Sequence, residues 1–250
     1  MTDGAAGAPD TGARPPRSRL TLVILTIVTA LLVAGLFGLG TWQVNRLAWK
    51  RDLIARVNAR VHAPPVPAPG PTAWAGLDTE NASYRNIRLT GRYRNDRSVR
   101  TQAATVLGAG SWLVTPLVTD AGFTVLVNRG FVPPSWQDRT PPSGPVTVTG
   151  LLRITEPGGG FLRRNDPAAG RWYSRDVAAI ATAQRLGPAA PYFVDAAADP
   201  AAPTRPPVGG LTIISFPNNH LSYAITWYAL ALMLIGGWVL VLRYERRLRR

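Results

Sequence analysis

Histidine is the side chain best suited to proton transfer or metal ligation near neutral pH, and this chain has two, His62 and His220. His62 adjoins a run of prolines and reads as a solvated linker residue. His220 ends Pro217-Asn218-Asn219-His220, which opens a long uncharged run, so its imidazole stands where water meets an apolar phase. Two readings of it stay open. It is a helix-capping residue beside Asn218 and Asn219, because polar side chains at a helix start satisfy free backbone N–H groups. Alternatively it is a ligand to a membrane-borne metal cofactor. Neutral imidazole is a common axial ligand of haem iron, which needs an apolar pocket around the ring and cations near the propionates.

The neighbours of His220 bear on that choice. In a helix beginning near His220, Tyr223, Ala224 and Trp227 follow at three-, four- and seven-residue steps and share its face. The small Ala224 would leave room between two aromatics for a flat macrocycle. A second polar motif, Trp42-Gln43-Val44-Asn45-Arg46, closes a similar uncharged run near the N-terminus. Arg46, one turn beyond Trp42, could meet a propionate. Trp42, Trp49, Tyr223 and Trp227 also suit an interfacial aromatic belt, which needs no ligand. Asn45 and Asn219 could simply bond each other between helices.

The rest of the inventory narrows the chemistry. With no cysteine, disulfides, thiolate metal sites, iron-sulfur clusters and thiol catalysis are excluded. No Gly-x-Ser-x-Gly, Walker loop, His-Glu-x-x-His or dinucleotide fingerprint is present. Glycines 158–160 read as a tight loop before Phe161. Several of the few acidic residues adjoin arginine, as in Arg51-Asp52, Asp138-Arg139 and Arg175-Asp176, and read as solvated ion pairs. The chain is not expected to be an enzyme. A net charge of +14 raises nucleic acid as a partner, but many of the cations flank the apolar runs and the others are scattered arginines without an RNA-binding signature. Anionic headgroups of membrane lipids are the expected partner of the flanking charges instead.

The elements that must position these residues are two spans and one domain. Residues 20–43 and 220–242 carry no charge, and each run exceeds the roughly 20 apolar residues that cross a bilayer. The first is too long for a secretory apolar region and has no small-x-small site at its end, so it reads as an uncleaved anchor. Residues 1–19 are expected to be a disordered cytoplasmic tail, and 243–250 a basic one. Around the first span alone the cations conflict: Arg14, Arg17 and Arg19 precede it, while Arg46, Lys50, Arg51, Arg56 and Arg60 follow. The basic end after the second span arbitrates, placing both termini inside and residues 44–219 outside.

Past the first span, Leu47, Ile54 and Val57 continue a helical pattern to about Val61, and prolines over 62–71 stop it. Beyond that linker, alternating or β-branched runs predict strands at 84–93, 112–118, 123–128, 146–154, 192–194 and 211–214. One Ala-rich helix is predicted from Asp176 to Arg185, with Gly187 after it. A second Pro-rich connection covers 200–207. The fold class is therefore α+β: two transmembrane helices flanking one extramembrane antiparallel sheet or barrel with one or two helices. Periodicity leaves sheet and barrel undecided.

Five blocks in order carry a resemblance: Leu39-Gly40-x-Trp42-Gln43-x-x-Arg46-x-x-Trp49-Lys50; Tyr84-Arg85-x-Ile87-x-Leu89-x-Gly91-x-Tyr93; Val125 through Pro133, with Asn128-Arg129-Gly130-Phe131 at its centre; Asn165-Asp166-Pro167 with Trp172-Tyr173-x-Arg175-Asp176; and Pro217-Asn218-Asn219-His220-Leu221-x-Tyr223-Ala224-x-Thr226-Trp227. Together they resemble the Surfeit locus protein 1 family of cytochrome c oxidase assembly factors. The resemblance implies a chaperone of respiratory-chain biogenesis that helps mature the haem-bearing subunit I and carries haem a or a related haem, with His220 implicated in binding. It also implies subunit I and haem a synthase as partners, on which the extramembrane domain, including Asn128, Arg129, Gly130 and Phe131, is expected to dock; these four, with Gln43, Asn218 and Asn219, are expected to be partner-binding or structural motif residues. Where the family has Asn-Arg-Gly-Trp, this chain has Phe131, so an aromatic is kept and the indole N–H is not. The expected location is the plasma membrane of a bacterium, since the N-terminus is no obvious transit peptide. Two rivals stand beside this reading. One is a haem-independent chaperone or scaffold for apo-subunit I, and the other an envelope enzyme.

Overall fold

The computed structural model describes residues 17–138, 140–160, 162–214 and 216–250. Most of the expected disordered tail at 1–19 lies outside these residues, as do Arg139, Phe161 and Ser215. In chain order the elements are α1 (Arg19–His62), β1 (Val66–Pro67), α2 (Thr79–Ala82), β2 (Asn86–Tyr93), β3 (Val99–Thr105), β4 (Gly108–Thr119), β5 (Thr124–Val132), β6 (Val146–Ile154), β7 (Gly159–Gly160), β8 (Arg163–Arg164), α3 (Val177–Ala183), β9 (Ala189–Ala196) and α4 (His220–Leu248), with short 3-10 turns at Pro71–Gly76 and Asn95–Arg97. Two compact units result. One holds residues through Asp52 together with Phe216–Arg250, and the other holds Leu53–Ser215.

The first unit is a helix pair, and both helices are long and apolar enough to cross a membrane. Ser18 Oγ caps α1 by accepting from the Thr21 N–H at 3.1 Å. The helix runs unbroken until Pro64 and Pro65, which cannot continue it. Contacts between the helices run in opposite chain order, so the helices are antiparallel. Gln43 meets His220, Thr41 Oγ1 lies 3.1 Å from Tyr228 Oη, and the Arg17 N–H donates to Glu245 Oε2 at 3.0 Å. Gly40 makes the close approach possible, because a Cβ there would fall 2.6 Å from the Tyr228 ring.

The second unit resolves the sheet-or-barrel alternative. The hydrogen-bonded order is β1-β2-β6-β9-β5-β4-β3, and β2 also pairs with β4. The five strands β2, β6, β9, β5 and β4 therefore close a ring. The twelve-residue β4 makes this possible by serving two partners along one edge: Gly108–Val114 pairs with β3, and Leu117–Thr119 pairs with β2. The register shift opposite Leu113 and Val114 leaves Arg129 as an extra, unpaired residue of β5, a bulge near that change. The ladders are antiparallel except β1–β2 and β5–β9. The chain returns to β5 by way of α3, and such a crossover permits parallel pairing.

Alternate side chains fill the ring: Ile87, Leu89, Leu117, Val125, Val127, Val148, Leu152, Tyr192 and Val194 form one core. Their neighbours Leu126 and Phe193 face the other way and pack with Val114, Trp172, Val177 and Ile180 beneath α3. The Pro-rich connection is built onto the ring, for the Pro69 carbonyl accepts from Trp74 Nε1 at 3.0 Å and from Tyr192 Oη at 2.8 Å. Burial raises the Tyr192 phenol above the ordinary tyrosine range.

Three local expectations change. Residues 211–214 join no ladder. Instead Val208, just upstream, exchanges backbone hydrogen bonds with Phe131 at 2.9 Å each way. Strand β3 is not among the expected strands, though its burial alternates regularly. Helix α3 is capped by Asp176 as expected, with Oδ1 accepting from the Ala179 N–H at 3.1 Å, but it stops at Ala183. Arg185, not Gly187, takes the left-handed turn, at φ 51°.

Candidate functional site

His220 is the first residue of α4, and its neighbour Asn219, at the N-cap, makes no side-chain capping bond. The imidazole turns to the other helix, where Nδ1 lies 2.8 Å from Gln43 Oε1. The capping alternative thus does not describe His220. It is a cross-helix residue. His62, by contrast, sits exposed at the end of α1, with Nδ1 2.9 Å from the Asn58 carbonyl in its own last turn.

The other expected site residues separate into two groups. On α1, Trp42, Arg46 and Trp49 follow at four- and three-residue steps, so they form a stripe beside Gln43. The Arg46 guanidinium stacks 3.9 Å over the Trp49 ring. Trp42 and Tyr223 are both more than half exposed, and Trp227 is partly buried. Ala224 is 2% exposed, so the room left by its small side chain is filled by protein. Asn45 and Asn219 are exposed. The Asn218 Oδ1 is buried with no partner among the described residues.

Sequence reasoning missed the groups that lock this pair. Tyr228 packs on Gly40 and against Phe37, ring centroids 5.6 Å apart. At the far end Glu245, nearly buried inside a tail read only as basic, binds Arg17, while Arg249 Nη2 donates to the Arg17 carbonyl at 2.7 Å. A lone acid among arginines was the available signal.

In the barrel unit the block Asn128-Arg129-Gly130-Phe131 is part of the wall. Asn128 Nδ2 donates to Asp195 Oδ1 at 2.8 Å, and the Gly130 N–H donates to Asn128 Oδ1 at 3.2 Å. Gly130 is required by its φ of 132° and by the Val208 backbone, which a Cβ would meet at 2.3 Å. Phe131 stands edge-on to Trp112. Three of the four residues are buried. Arg129, partly exposed, binds Asp138 at 3.2 Å and lies over the Tyr93 ring. Burial pushes the Tyr93 phenol up to about 12, and the Arg129 charge partly opposes that rise.

Asp195 is the hub of an ionic cluster that no motif marked. Its oxygens accept from Asn128, from Arg175 Nη1 at 2.9 Å, from Arg153 Nη1 at 3.0 Å and from Thr212 Oγ1 at 2.9 Å. Glu156 completes the cluster on Arg175, with contacts of 2.6 and 3.0 Å. Burial disfavours the Arg175 cation, but Asp195 and Glu156 outweigh it, and its pKa ends above the ordinary arginine value. The cluster floors a cavity of about 400 Å³ walled by Trp112, Leu211 and Ile213. Because its charges satisfy one another, this floor offers a ligand little, and the arrangement works as a clamp. The expected pairing of adjacent residues fails here. Asp176 caps α3 and accepts from the Gly158 N–H, while Arg175 turns away to Glu156, since neighbours in extended chain point apart.

A membrane protein with two spans bracketing a closed barrel, its one cross-helix histidine at the start of the second span, is the class these features define. Residues 30–232 match the SURF1 family. The chain is 34% identical over 249 residues to Surfeit locus protein 1 of Homo sapiens, covering 91% of this chain and 78% of the relative. It is 34% identical over 221 residues to the Mus musculus protein of that name, covering 80% and 70%. A SURF1-like protein of Monosiga brevicollis is 34% identical over 227 residues, covering 83% of each. The chain belongs to the Surfeit locus protein 1 family.

Proposed function

We propose that this protein is a cytochrome c oxidase assembly factor that holds haem a, or a related haem, as cargo and passes it to subunit I. Family membership supports the assembly role. The observation that carries the haem reading is the His220–Gln43 contact of 2.8 Å, which presents an oriented imidazole at a helix start without spending it on a cap. The surrounding residues fit such a cargo. Arg46 supplies a cation one turn from Gln43 for a propionate, and Trp42, Tyr223 and Trp227 supply aromatic surface. A single side-chain ligand suits release better than storage.

In this reading both termini are cytoplasmic and the barrel lies outside the plasma membrane of a bacterium. Arg17, Arg19, Arg243, Arg246, Arg247, Arg249 and Arg250 gather at the end of the helix pair where Arg17 meets Glu245, and cations there resist translocation and attract anionic lipid. Subunit I and haem a synthase are the protein partners. The exposed aliphatic tips Val106, Leu107 and Ile213, with the partly exposed Arg129 of the Asn128 block, are the surface offered to them.

Purification from cells that make haem a tests the carrier role. A Soret band in the wild type that is lost in His220→Ala is expected. No band, or the same band in both proteins, removes the role. The exposure of Trp42 and Tyr223 on the helix pair favours a second reading, a scaffold that grips apo-subunit I through aromatic side chains. That reading requires co-purification with oxidase subunits to survive His220→Ala.

A further inference from the structure

We infer that Gln43 is a positioning residue: its side-chain carbonyl fixes His220 as the Nδ1–H tautomer and leaves the Nε2 lone pair as the ligating atom. The inference rests on the haem-carrier reading for its purpose, but not for its geometry. Gln43 Oε1 faces the ring at 2.8 Å, and an amide oxygen only accepts, so the hydrogen resides on Nδ1. Nε2 has no hydrogen-bond partner among the described residues. A neutral imidazole has one donor and one acceptor nitrogen, and the bond made by the first determines which nitrogen can bind a metal. Metal-binding histidines ordinarily have such a partner, which orients the ring and raises the basicity of the free nitrogen.

The two residues lie 177 positions apart, so the site exists only when the two helices are paired. Gly40 and Tyr228, next along the interface, bring the backbones close. Ligand orientation is thereby coupled to assembly of the helix pair, and a substitution at Gln43 changes the ring without touching it covalently.

The test uses the full chain in lipid nanodiscs with 15N-labelled histidine and no haem, at a pH above the histidine range. His62→Gln removes the second imidazole. A protonated Nδ1 and a pyridine-type Nε2 are expected for His220. A protonated Nε2 in the wild type, as when the amide is reversed and donates to Nδ1, overturns the inference without touching the carrier reading. Titration with haemin then reads ligation: Gln43→Leu should weaken binding roughly 10–100-fold, the usual effect of losing such a partner, and Gln43→Glu should restore it. Unchanged binding in Gln43→Leu overturns the positioning role. A wild type with the expected tautomer that binds no haemin overturns the carrier reading, and the ligating role with it. The spectrum of the wild type decides the tautomer even if Gln43→Leu fails to fold.

Discussion

Thr212 Oγ1 donates to Asp195 Oδ2 at 2.9 Å, which fastens a stretch outside every ladder to a strand of the barrel wall. The same carboxylate neutralises Arg153 and Arg175. Asp195→Ala leaves two largely buried guanidinium groups short of a counter-charge and should cost about 3–5 kcal/mol. Thr212→Val removes one neutral donor from an acceptor that keeps three others, and should cost about 1 kcal/mol. Thermal unfolding of the full chain in detergent checks the ranking; equal losses would contradict the hub assignment.

Gly130→Ala should be among the most damaging single-methyl changes in the chain. The left-handed φ and the Val208 backbone 2.3 Å from the added carbon act together, so a loss of at least about 2 kcal/mol is expected. Gly122→Ala, also at positive φ but in open space, isolates the conformational part and should cost about 1 kcal/mol.

Gly40→Leu should separate the helix pair, because the Tyr228 ring occupies the place of its Cβ. Tyr228→Ala should partly rescue the double variant by making room. Spin labels on cysteines introduced into both helices of this cysteine-free chain would report the separation. A short distance retained in Gly40→Leu would refute the packing described.

Alkaline pH should destabilise the barrel. The folded Tyr93 pKa is raised from 10.0 to about 12, so above pH 10 the unfolded chain loses the phenolic proton that the folded chain still holds. Stability from this group is full below pH 10 and declines up to about pH 12. Tyr93→Phe, which has no proton to lose, should shrink the decline. The same fall in both proteins would assign it elsewhere, with buried Tyr192 the next group to examine.

The spans were legible because a bilayer imposes length and apolarity that the residues must meet, and five of the six expected strands overlap observed ones, β2 and β6 because their burial alternates and β4, β5 and β9 because β-branched and aromatic residues crowd them. Closure of the ring was not legible, since β4 reveals its two partners only through register. At the site, position and residue type singled out His220, while its partner is set by the rotation of two helices about their axes. Gln43 stood in the same motif as Arg46, and only packing turns the amide rather than the guanidinium to the ring. The Asp195 cluster was hidden for a similar reason: its members come from distant segments, and each is commonplace alone.

A ring of strands has no free end from which to fray. With β2 bonded to both β6 and β4, none of the five wall strands can detach without breaking two ladders, so their amides should exchange with solvent together and slowly. β3 has a ladder on one side only, reinforced by the Gln102 N–H on the Trp172 carbonyl at 2.8 Å. Local opening should therefore begin there, at the hairpin carrying Val106 and Leu107, and leave the barrel intact while that arm rearranges.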